Sequence, residues 1–256
     1  MSMSPRLLRP RASGFSPLSI SGCIGWYDSA DTTAMAQNTD GTGAVTAGTQ
    51  VGHWKDKSSL GAHLTQGTAA NRPTLTASSV NGFTALVFDG TNDTLARSTG
   101  YTAQNSLSGL TRILVGSSSQ TCISAGTAGA GVSHSFQLFN NRVYTYSAAT
   151  PVNVQVDAVN GGSGLPLRIY ASVFNGAATS LSVLFNNVTQ TAVGTAGTVG
   201  ATTASGGVGL WLGSNSGLNN FHAGPIAEYI VFNKALSTSE MLALHRWIAK
   251  KWGFTL

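Results

Sequence analysis

The chain has 256 residues, with 14 Lys or Arg against 9 Asp or Glu, so only 9% are charged where about 25% is ordinary. Glycine takes 31 positions, and Ser, Thr, Ala and Asn fill much of the remainder. This composition excludes a long or coiled helix, and a net charge of +5 on so sparse a background excludes the broad basic surface of a nucleic-acid binder.

The first elements carry the charge. Arg6, Arg9 and Arg11 stand beside Pro5 and Pro10 with no acid among them, and without these three the chain holds 11 bases against 9 acids. Two prolines in such a run predict an extended basic arm over residues 1–19, expected to dock on an acidic or carbonyl-rich partner. No apolar h-region follows the arm, and no run approaches the roughly 20 apolar residues of a membrane span, so synthesis in a cytoplasm without a membrane anchor is expected.

From residue 20 onward the 42% hydrophobic content falls into short runs between Gly, Asn, Ser and Thr clusters. The runs predict strands at Cys23–Asp28, Gln50–Trp54, Thr84–Asp89, Thr111–Val115, Ser133–Phe139, Arg142–Ser147, Val152–Asp157, Leu167–Phe174, Ser180–Phe185, Val208–Leu212 and Ile226–Phe232. Val152, Val154 and Val156 alternate with polar partners, as do Leu181, Val183 and Phe185, which is the period of a half-buried strand. The tetrapeptide Leu-Phe-Asn-Asn occurs at 138–141 and 184–187; an Asn pair tolerates positive φ and suits a type I′ hairpin turn. Residues 194–207 have little to bury and read as a long exposed loop. Cys23 and Cys122 could form one bridge but not a disulfide framework, and read rather as buried, reduced thiols.

One helix closes the chain. Ser237 with Glu240 makes a capping box, Leu236 and Met241 a staple across it, and Met241, Leu244, His245, Ile248 and Trp252 one apolar face. Lys250 and Lys251 suit the last turn and Gly253 its end. The expectation is all-β: a two-sheet antiparallel sandwich over residues 20–256 with one helix at 237–252.

Several segments then carry a resemblance: Ile24–Asp31 (Ile-Gly-Trp-Tyr-Asp-Ser-Ala-Asp), Val51–Ser58, Asn71–Pro73, Asn81–Gly90 and Gly224–Ser237. Their order and spacing resemble the concanavalin A-like lectin/glucanase (laminin-G-like) jelly rolls of tailed-phage virion proteins. The resemblance implies a jelly roll, often glycan-binding and often part of a head or tail surface.

The candidate chemistry is thin. Glucanases of that fold use two carboxylates on one strand, and residues two apart share a strand face. Here the two glutamates are Glu240, placed in the helix cap, and Glu228, with no acid two residues on. Asp28 with Asp31 reads as a turn. Asp89, Asn92 and Asp93 have the oxygen density of a calcium loop but lack the EF-hand pattern, so a plain turn is expected, with calcium as the minor alternative and no other cofactor. His53, His63, His134, His222 and His245 show no zinc spacing and read as unclustered. Trp26 and Trp54 read as core, while Tyr144 and Tyr146 share one strand face and are the best candidates for glycan or protein contact.

The expectation that follows is a non-enzymatic structural protein of a tailed-phage virion. It would be a capsid decoration, cement or other surface accessory protein, docked on head or tail proteins through Arg6, Arg9 and Arg11, with a homo-oligomer left open. The alternative is a glycan-binding tail or fibre adhesin that meets a host-surface glycan; a glycosidase ranks third.

Overall fold

The computed structural model describes residues 14–104, 107–118, 165–175, 182–190, 209–214 and 221–256 in full, with short backbone strands between them. The described strands in chain order begin with β1 (Cys23–Asp28), β2 (Met35–Ala36), β3 (His53–Trp54), β4 (Leu64–Thr65), β5 (Thr74–Val80) and β6 (Phe83–Asp89). They continue with β7 (Leu95–Arg97), β8 (Leu110–Ser118), β9 (Ile123–Ala125), β10 (Phe136–Phe139), β11 (Arg142–Thr145) and β12 (Asn153–Asp157). The last are β13 (Leu165–Phe174), β14 (Leu181–Phe185), β15 (Val188–Thr189), β16 (Gly194–Ala196), β17 (Leu210–Leu212) and β18 (Ala223–Phe232), before the helix α1 (Thr238–Trp252).

The large sheet runs β15-β14-β13-β8-β18-β6-β5, and a second runs β2-β3-β4-β7-β17-β9; a small one pairs β10-β11-β12-β16. All pairings are antiparallel. Strand β18 is the hinge of the topology. Its start, Ala223–Ile226, bonds to β6, and from Glu228 to Phe232 the same edge bonds to β1. The switch occurs at Ala227, whose carbonyl accepts from the Ser29 amide and hydroxyl. It sets Asp28 directly opposite Glu228.

Two apolar layers result. The first lies between the large and second sheets, where Tyr27, Trp54, Leu64, Leu75, Leu86, Leu114, Tyr170, Leu212 and Tyr229 are buried together. The second lies between the large sheet and α1, where Trp26, Ile113, Val115, Ile169 and Ile230 meet Met241, Leu244, Ile248 and Trp252. Successive strand residues point to opposite faces, so one strand serves both layers. Each large side chain so buried contributes roughly 1.5–3 kcal/mol.

Helix α1 forms as its sequence dictates. Ser237 Oγ accepts from the Glu240 amide at 3.3 Å, the Glu240 carboxylate accepts from the Ser237 amide at 2.9 Å, and Gly253 ends the helix at φ 69°. Met241, Leu244, His245, Ile248 and Trp252 are all buried, as the apolar stripe requires. The Asn186-Asn187 turn also follows its local chemistry, with φ of 46° and 67°. The Asn140-Asn141 turn lies outside the described residues.

Three differences from expectation have local causes. The second sheet rests largely on two- and three-residue strands, too short for alternation to show. Strand β5 was not expected because its register shifts between Thr76 and Val80, around Ser78 at φ 53°, which breaks the period. The expected loop at 194–207 opens on β16, which pairs Gly194–Ala196 with Asn153–Gln155 through backbone bonds that need no apolar side chains.

Candidate functional site

The row of cross-strand partners Ala36–His53–Thr65–Ala96–Trp211–Ser124 crosses the second sheet in register. Their chain neighbours Met35, Trp54, Leu64, Leu95, Leu210 and Leu212 face the inter-sheet core, so this row lies on the sheet's outer face. Two small residues, Thr65 and Ala96, form its floor. His53 stands on one side and Trp211 on the other, three strand spacings or roughly 14 Å apart.

His63, two residues before Thr65, shares this face, and its ring lies 5.3 Å from that of His53, centroid to centroid. The histidines therefore do cluster, contrary to the sequence expectation, because β3 and β4 are neighbours. His53 Nδ1 is 3.1 Å from the Thr39 carbonyl, and His63 Nδ1 accepts from the Asp56 amide at 3.1 Å. That bond leaves the proton of neutral His63 on Nε2. Burial, then the neighbouring His53, hold His63 below the usual imidazole value. At the rim, Asp40 accepts from Thr42, whose backbone carbonyl takes the Asn38 amide. Trp211 is 7% exposed, its indole folded back over Gly209, where a Cβ would meet the ring at 2.0 Å.

A second constellation lies on the opposite side of the molecule, under α1. Glu228 is fully buried and accepts from Trp26 Nε1 at 2.7 Å, Trp252 Nε1 at 2.6 Å and Lys251 Nζ at 3.0 Å. Lys251 also donates to Asp28 at 2.6 Å, and Lys57 bridges Asp28 at 2.9 Å and Asp31 at 2.7 Å. Lys57 lies 4.3 Å from the centre of the Trp26 ring, so cations and indoles interleave. Burial pushes the Glu228 carboxyl up against the pull of Lys251. An acid pair thus exists where the strand sequence showed none, because its members come from β1 and β18 rather than from one strand.

The remaining expected residues divide as follows. Asp28 and Asp31 do form turns, accepting from the Ala30 and Thr33 amides. In the Asp89–Asp93 segment, one Asp89 oxygen takes the amides of Thr91, Asn92 and Asp93, and Asp93 takes the Asp89 amide. One oxygen of each aspartate is spent on the turn, while the buried Asn92 Oδ1 has no partner among the described residues. Asp89 is exposed; the little burial it has raises its carboxyl, but the amides outweigh that and hold it below its usual value, while burial and the Asp89 charge push Asp93 up to about 6. Among the described residues no three His, Cys, Asp or Glu side chains gather around one point. Trp26 and Trp54 are buried, as expected. Cys23 is a free, half-buried thiol, raised to about 12 by burial. Arg6, Arg9, Arg11, Cys122 and the side chains of Tyr144 and Tyr146 lie outside the described residues. A hollow of about 240 Å³ beside the start of α1, lined by Val173, Leu184, Leu236 and Met241 among others, holds no ionisable group.

No family model matches the sequence, and no curated protein does. Solved structures do. Trypanosoma rangeli sialidase matches 93% of this chain at 12% identity with a TM-score of 0.51. The same enzyme in complex with 2,3-difluorosialic acid, a covalent intermediate, matches 99% at 12% identity and 0.52. A GH54 α-L-arabinofuranosidase soaked with a cyclic sulfate inhibitor matches 90% at 12% identity and 0.56. The likeness establishes the fold: an antiparallel β-sandwich. The chain spans 34–36% of the sialidase chains and 63% of the arabinofuranosidase chain.

Two expectations are corrected by these matches. The reading as an inert, docked virion protein is overturned, because the sandwiches that match belong to glycosidases. The exclusion of an enzyme falls for the same reason, and its chemical ground was incomplete: paired acids need not lie along a single strand, and Asp28 and Glu228 meet across two.

Proposed function

We propose that this chain is a glycan-binding module that reads polysaccharide on the outer face of its second sheet. The observation that carries the reading is the row His53–Thr65–Ala96–Trp211, with His63 beside it. Small residues on the floor let a sugar ring approach the sheet, and flat imidazoles at the side offer stacking faces. The Asp40 loop and the free imidazole nitrogens supply hydrogen-bonding groups for hydroxyls. The 9% charge of the chain suits a ligand recognised by hydroxyls and ring faces rather than by ion pairing. Glycan-acting neighbours at the level of fold agree with this. The resemblance of Ile24–Asp31 and Gly224–Ser237 to jelly rolls of phage virion proteins favours bacterial surface polysaccharide as the ligand class, read by an adhesin.

An array of bacterial polysaccharides and their fragments tests the proposal, with reducing-sugar release followed on every glycan that binds. At least one glycan should bind the wild type, and Thr65→Arg, which raises the floor, should weaken it tenfold or more without lowering Tm. Absence of any binder at high protein concentration, or binding indifferent to both Thr65→Arg and His53→Ala, would refute it. Turnover on a bound glycan would make the module catalytic, and Glu228→Gln would then tell whether the buried acid pair takes part.

A further inference from the structure

Arg112 is 1% exposed and lies in the layer between the large and second sheets. Its strand neighbours Leu110 and Leu114 face that layer, while Ile113 and Val115 face α1. Across the sheet it stands between Ser172 on β13 and Val231 on β18. Guanidinium keeps its charge inside proteins, and an unpaired buried charge is among the most expensive groups a fold can carry. Yet Arg112 Nε and Nη1 have no hydrogen-bond partner among the described residues.

The described acids are engaged elsewhere. Asp28, Asp31 and Glu240 hold lysines, and Glu228 holds Lys251 and two indoles. Asp56 takes backbone amides, and Asp40, Asp89 and Asp93 close their own turns. The groups whose fields reach Arg112 are the hydroxyls of Tyr229 and Tyr101, and burial holds the guanidinium below its usual value. Tyr229 Oη makes no hydrogen bond of ordinary geometry among the described residues, Gln104 being the polar side chain that approaches it. Gln104 donates to Tyr101 Oη at 3.1 Å and leaves its own carbonyl oxygen unpaired. Two unpaired guanidinium nitrogens and the Tyr229 phenol thus share one face of the sheet with no carboxylate among them, the unpaired Gln104 carbonyl oxygen and the phenol oxygens being the neutral acceptors of the cluster.

We propose that this interior cluster is a binding site for a small monovalent inorganic anion, chloride in ordinary buffer, held by Arg112 Nε and Nη1 and the Tyr229 hydroxyl. The anion neutralises the one described cation that no carboxylate balances within the core. The site is remote in kind from the glycan face: it is internal, and its occupant stabilises the fold.

The test uses the full chain exchanged into sodium gluconate, then titrated with chloride, bromide or fluoride at constant ionic strength. Tm should rise saturably with chloride and bromide, by about 5–10 °C at a hundredfold excess over Kd. Arg112→Met should abolish the rise and Tyr229→Phe should diminish it. Should Arg112→Met fail to fold, crystals of the wild type grown with bromide provide an independent readout, with an anomalous peak within hydrogen-bond distance of Arg112 and Tyr229. Equal Tm in chloride and gluconate, or no bromide peak at Arg112, overturns the proposal. So does energetic coupling between Arg112→Met and Asp157→Asn without any halide response, which would assign the counter-charge to the chain itself.

Discussion

Replacing Lys251 by Met removes the ammonium that Asp28 and Glu228 share, at 2.6 and 3.0 Å, while keeping most of the aliphatic stem. Glu228 is then left with two indole donors and no cation, in a site from which water is excluded. Breaking a buried pair by deleting one partner costs about 3–5 kcal/mol; the lysine side chain is 19% exposed, so the lower end, about 3 kcal/mol, applies. For a chain of this length that corresponds to a fall in Tm of about 6–12 °C at pH 7.5. The loss must also depend on pH. Burial already holds the Glu228 carboxyl above its ordinary 4.5, and without Lys251 it rises further. A carboxyl that keeps its proton more tightly folded than unfolded supports the fold below its unfolded value and loses that support as pH rises. The deficit of Lys251→Met should therefore shrink toward pH 4.5 and widen toward pH 8. Thermal unfolding at matched ionic strength across that range reads both quantities. A deficit under 1 kcal/mol, or one independent of pH, would show that the cluster is not the ionic clamp between α1 and the sheet described above.

Other perturbations test separate parts of the structure. Asp93→Asn should raise Tm at pH 7–8 and leave it unchanged near pH 4, because wild-type Asp93, raised to about 6, must ionise beside Asp89 between those limits. Identical pH profiles for the two proteins would contradict this. Ser237→Ala removes the acceptor for the Glu240 amide and should cost about 1 kcal/mol, a fall of about 2–4 °C that Ser237→Asp largely restores.

What the sequence made legible was whatever chemistry is local. Ser237, Glu240 and Gly253 specify the helix within a few residues of one another, and β1 matches its expected range because Cys23–Asp28 carries its own apolar pattern. The Asn186-Asn187 turn is of the same kind. The candidate sites were not legible, since each depends on which strands become neighbours. His53 and His63 meet through a two-residue pairing, and Asp28 meets Glu228 only because β18 changes partner at Ala227. Arg112 stood inside an expected strand, yet its face could be assigned only once Leu110 and Leu114 were seen to point into the core. Acids two apart on one strand share a face, but antiparallel pairing puts acids opposite each other just as effectively.

The central claim concerns one face of one sheet, and amide chemical-shift mapping during titration with a bound oligosaccharide addresses it directly. The account predicts that the largest shifts fall on His53, His63, Thr65, Ala96 and the Asp40 loop, with those under α1 unmoved. Shifts concentrated on α1, on the β14–β15 hairpin, or on the strand that carries Tyr144 would contradict it.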